Sequence, residues 1–114
     1  MEKIVQQTLF FDFYGELLTE HQQKIYEDVV CNDMSCSEVA AEQGVSRQGI
    51  HDLIKRCNRQ LEEYEEKLHL VERFLDIQSK VRRIRQIASE TAKGSRALDI
   101  QEMIQISDEI LEEL

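Results

Sequence analysis

"VAAEQGVSRQGIHDLIKR", residues 39–56, decides how this chain folds. It reads as a short helix, a tight turn and a second helix. Ala40 is small, which lets a second helix cross the first closely. Gly44, four residues on, tolerates the positive φ that a tight turn requires. Ile50 and Leu53 fall on the inner face of the second helix, and Val39 and Val45 complete a small core between the two. Ser46 is placed to cap the second helix and fix where it starts. These positions together predict a helix-turn-helix over residues 36–57.

The outward face of the second helix follows from its periodicity. Arg47, His51 and Lys55 stand at i, i+4 and i+8, with Gln48, Asp52 and Arg59 beside them. In a DNA-binding version, Arg47, Gln48 and His51 meet base edges, while Lys55, Arg56 and Arg59 meet phosphates. Asp52 lies on the same side and repels phosphate. A solvated helix surface with charges of both signs has the same pattern.

Around this motif the chain has 114 residues, no proline and few aromatics. Good helix formers recur throughout, so the fold class is all-α. A first helix is expected over about residues 2–16. Ile4, Val5, Thr8, Leu9, Phe11 and Phe13 are dense enough in it to predict that it is largely buried. "TEHQ", from Thr19, and "SCSE", from Ser35, are capping boxes that open the next two helices. From Cys57 the apolar residues Leu61, Tyr64, Leu68 and Val71 step by four and three, a coiled-coil-like stripe. Phe74, Ile77, Val81, Ile84 and Ala88 continue it in a shifted phase, which predicts a bend or break within residues 67–72. "KGSRALD" is the last loop, and Asp99 caps a final helix. The expected organisation is one domain, with a bundle over residues 1–68 and a helical extension over residues 69–114. The stripe from Cys57 to Ala88 needs a partner, and a second subunit supplying it makes the chain a homodimer.

The formal charge is -9, unevenly spread. Residues 45–60 hold four Lys or Arg against one acid, and residues 80–96 hold six against one. In this second island Lys80, Arg82, Arg83 and Arg85 crowd one segment. Acidic stretches such as "DEILEEL" can pair with it, and the alternative is contact with nucleic-acid phosphates. The acidic remainder lowers non-specific DNA binding without excluding a local contact.

Other chemistry is poorly supported. Cys31, Cys36, His51 and Cys57 include no pair with the close spacing of a structural zinc site, so no metal is expected. No glycine-rich phosphate cradle occurs, and no nucleophile has a recognisable base and oxyanion partner, so neither a cofactor nor an enzyme is expected. Three cysteines, an odd number, fit free thiols in a reducing cytoplasm. No apolar run is long enough to span a membrane.

Three segments add a resemblance. "LFFDFYGELLTEHQ", "SEVAAEQGVSRQGIHDLIKR" and "LEEYEEKLHL", within residues 1–75, resemble the YlxM family of small bacterial proteins. That family is described as regulatory and associated with the signal recognition particle. Its helix-turn-helix is similar to region 4 of bacterial sigma factors. The resemblance implies an all-helical cytoplasmic protein that binds DNA through Arg47, Gln48, His51 and Lys55. It also implies a link to the signal recognition particle pathway, which rests on neighbouring genes. An adaptor that uses the motif as a scaffold, and binds the particle's protein or RNA, is the alternative.

Overall fold

The structure is a computed structural model that describes residues 2–94, 96–97 and 99–114. The described residues form α-helices with no strand. Ser95 and Leu98, in the expected last loop, lie outside the described residues.

The chain divides into two compact units, Met1–Val71 and Glu72–Leu114. In the first, α1 (Lys3–Tyr14) ends in a single 3₁₀ turn, Gly15–Leu17. Gly15 belongs there because a Cβ would come within 2.8 Å of the Phe11 ring. Then α2 (Glu20–Tyr26) starts at the expected box: Thr19 Oγ1 accepts from the Gln22 N–H, and Gln22 Oε1 accepts from the Thr19 N–H. It widens into a π turn, Glu27–Cys31, in which the Asn32 N–H reaches the Glu27 carbonyl. The turn carries Asp28, buried and held by Lys24 and Asn32, whose contacts keep its carboxyl below the usual range. Next come α3 (Cys36–Gln43) and α4 (Arg47–Leu68).

Helices α1, α2 and α3 all pack against α4. Phe10, Tyr14, Ile25, Tyr26, Val39, Ile50, Cys57 and Leu61 form the shared core. Two sequence expectations fail here. Helix α1 is not largely buried: only Phe10 and Tyr14 go fully inside, while Ile4 and Val5 are each 49% exposed. A short helix on the edge of a bundle buries one face, however many apolar residues it has. Val45 is 52% exposed and stays outside the core, while Val39, Ile50 and Ile54 are buried.

The break between α4 and α5 (Leu70–Ala92) falls within the expected window, at His69, which adopts a left-handed conformation with φ 55°. Polar groups from two earlier helices hold it. The Tyr14 hydroxyl donates to Glu65 Oε1 at 2.5 Å and accepts from the Leu70 N–H at 3.1 Å. Glu65 Oε1 also accepts from the Val71 N–H at 3.0 Å. Two N–H groups that α5 cannot satisfy itself are thereby capped by side chains. Burial, with Glu65 alongside, raises the Tyr14 hydroxyl pKa. Tyr14→Phe should cost about 1–3 kcal/mol, because the Leu70 N–H loses its acceptor. Urea unfolding measures the loss, and amide exchange at Leu70 and Val71 should accelerate with it. Unchanged exchange at both amides would show that the hydroxyl does not hold the break.

The second unit contains the rest of α5 and α6 (Ile100–Glu113). Asp99 caps α6 as expected, accepting from the Glu102 N–H at 3.0 Å. Ile87 and Ile106 are buried, one from each helix. Arg83 donates twice to Glu102, and Lys80 lies between Asp76 and Glu113.

Candidate nucleic-acid interface

The turn between α3 and α4 sets the site. Ser35 caps α3, accepting from the Glu38 N–H at 3.1 Å. Gly44 ends it at φ 67° and ψ 31°, and its N–H bonds to the Ala40 carbonyl. The Val45 N–H bonds to the same carbonyl. Ser46 Oγ then accepts from the Gly49 N–H at 3.0 Å, which starts α4. Ala40, only 5% exposed, lies where the two helices meet. Local chemistry at three residues therefore fixes the angle at which α4 leaves the body.

The structure places Arg47, Gln48, His51, Asp52, Lys55, Arg56 and Arg59 on the exposed side of α4. Arg47, His51, Lys55 and Arg59 follow one another at four-residue steps, a row about 18 Å long at 1.5 Å per residue. Arg47, Lys55, Arg56 and Arg59 form no ion pair among the described residues. Ile50, Ile54, Cys57 and Leu61 anchor the opposite face in the core. The row is rigidly mounted on a 22-residue helix.

The first turn of α4 has no acidic residue and begins with Arg47, as that of α1 has none and begins with Lys3, whereas α2, α3, α5 and α6 each have an acid there. A cation at the positive end of a helix dipole is locally unfavourable, and together they form an anion-attracting end. Asp52 has a role that sequence reading missed. Its Oδ1 accepts from Gln48 Nε2 at 3.0 Å and so holds the Gln48 amide. The i, i+4 spacing of Gln and Asp was the available signal.

The second basic island is split. Lys80 and Arg83 are taken up by Asp76, Glu113 and Glu102. Arg82 and Arg85 are exposed and form no ion pair among the described residues. Of the cysteines, Cys57 is fully buried, and burial raises its thiol pKa.

The sequence profile of the family described as "Putative helix-turn-helix protein, YlxM / p13 like" matches residues 1–111. The chain belongs to this family, UPF0122. A UPF0122 protein of Thermoanaerobacter sp. (strain X514) is 38% identical over 107 residues, covering 94% of this chain and 92% of that one. A UPF0122 protein of Bacillus cereus (strain AH187) is 42% identical over 90 residues, covering 79% and 82%. The UPF0122 match contains the whole of the α3–turn–α4 segment. No described helix of this UPF0122 chain is long and apolar enough to cross a membrane.

Proposed function

We propose that the chain is a non-enzymatic, DNA-binding regulatory protein of the cytoplasm, whose α4 enters the major groove. One observation carries this reading. An exposed row of basic residues, beginning at the first turn of α4, forms no ion pair among the described residues although acids outnumber bases overall. Arg47, Gln48 and His51 face base edges, and Lys55, Arg56 and Arg59 face phosphates. The link to the signal recognition particle pathway is supported by the resemblance to the YlxM family alone.

The net charge of -9 favours a second reading, an adaptor whose acidic surface meets a basic partner such as the particle's protein. Selection from a random pool of duplex DNA separates the two. At near-physiological salt the bound pool should converge on a defined sequence. A pool that stays random, with the particle's protein or RNA retained from a cell extract, would move the assignment to the adaptor.

A further inference from the structure

The second unit has two outward faces that its own core does not use. On α6, Ile100, Ile104 and Leu111 are 56%, 50% and 68% exposed. With Ser107 they step by four, three and four, the spacing with which a helix lies along another helix. Ile100, Met103, Ile104, Ser107 and Asp108 line an open groove there. The flank of this stripe is acidic, with Asp108 and Glu112 exposed. Residues 97–114 contain six acids and no Lys or Arg.

The outer face of α5 is its complement. Val81 is 51% exposed, and Ala88 is exposed on the same side. Arg85 stands between them and Arg82 beside them, both without an ion pair among the described residues. The neighbouring Lys80 and Arg83 are already engaged by acids of the unit.

An exposed run of large apolar side chains is an interaction surface. Charge decides what covers it. Two α6 stripes laid together would set acid against acid. An α6 stripe on the α5 face of another copy sets Asp108 and Glu112 against Arg82 and Arg85, with Ile104 and Leu111 over Val81 and Ala88. A two-fold axis makes both contacts at once. Of the stripe from Cys57 to Ala88, the first part does not serve, since Cys57, Leu61 and Val71 are buried in the chain's own core, whereas its end, with Val81 and Ala88, is open to a partner.

We propose that the chain forms a two-fold dimer in which α6 of each copy lies along the outer face of α5 of the other. This arrangement does not depend on the nucleic-acid reading.

Charge exchange tests it on the full chain by light scattering. One variant has Arg82→Glu with Arg85→Glu, and the other has Asp108→Arg with Glu112→Arg. The parent should show a two-chain mass at micromolar concentration. Each variant alone faces like charges in both contacts and should dimerise about 100-fold more weakly. An equimolar mixture should regain the two-chain mass, with one chain of each kind by native mass spectrometry, because both contacts are then of opposite charge. Ile104→Gln with Leu111→Gln, which leaves the charges alone, should also give single chains. This pair decides the matter if the charge variants lose helical content. A one-chain parent overturns the proposal. So does a parent dimer that both the charge and the apolar variants leave intact, or a mixture of helical variants that stays at one-chain mass.

Discussion

Tyr26→Ala should lower the stability of the first unit by about 3–5 kcal/mol, the usual cost of removing a buried aromatic side chain. Tyr26 is fully buried at the junction of three helices. Its ring lies 5.2 Å from that of Phe11 on α1, and its hydroxyl donates to Asn58 Oδ1 on α4 at 2.5 Å. A natural domain has about 5–15 kcal/mol in total, so the variant should unfold at a much lower urea concentration. Tyr26→Phe keeps the ring and deprives only the half-buried Asn58, which costs about 1–3 kcal/mol. A loss below about 1 kcal/mol for Tyr26→Ala would place Tyr26 outside the core. The hydroxyl gives the same test a pH dependence. Burial pushes its pKa well above the usual tyrosine value. The folded state therefore resists deprotonation more than the unfolded chain does. Its stabilisation is complete below about pH 10, where the unfolded tyrosine titrates, and is lost as pH rises towards the folded value. Tyr26→Phe should remove this share of the alkaline loss, leaving the shares of groups such as Tyr14 and Cys57, whose pKa burial also raises.

Features of this fold set by neighbouring residues were legible in the sequence, and features set by distant ones were not. Thr19, Ser35, Ser46 and Asp99 cap helices because each has its partner three residues on. Gly44 takes the left-handed conformation that a tight turn needs. The break at His69 showed as a phase shift in the apolar stripe. What holds that break did not show, because Tyr14 and Glu65 are 51 residues apart in sequence. The π turn, with Asp28 inside it, was equally hidden. Apolar density misled where an element was peripheral. Ile4, Val5 and Val45 look like core residues in a pattern and are exposed in the structure. The α4 face was legible because helical periodicity alone puts Arg47, His51, Lys55 and Arg59 on one side once Ile50 and Ile54 are inside. The Gln48–Asp52 hydrogen bond was not, although its spacing allowed it.

Arg47→Ala should weaken binding to the selected DNA sequence by about 1–3 kcal/mol, roughly 5- to 150-fold, and relax the preference at the base pair it faces. Lys55→Ala should weaken binding to all duplexes alike, and should reduce the slope of log affinity against log salt by about 1. Both side chains are exposed, and neither forms an ion pair among the described residues, so the urea midpoint should not fall with either, and relief of the unfavourable charge at the start of α4 can only raise it for Arg47→Ala. Titrating matched and scrambled duplexes at several salt concentrations reads all of these quantities. Equal losses on both duplexes for Arg47→Ala would reassign it from base edge to phosphate. Asp52 gives the opposite sign. In the proposed docking its carboxylate faces the groove and opposes phosphate, so Asp52→Asn should raise affinity for every duplex while the isosteric amide oxygen still accepts from Gln48. If affinity falls instead, the carboxylate is a contact in its own right, accepting from a cytosine amino group as acidic side chains do in the major groove. The acid in the basic row would then select sequence, and the overall negative charge would be no argument against recognition of DNA.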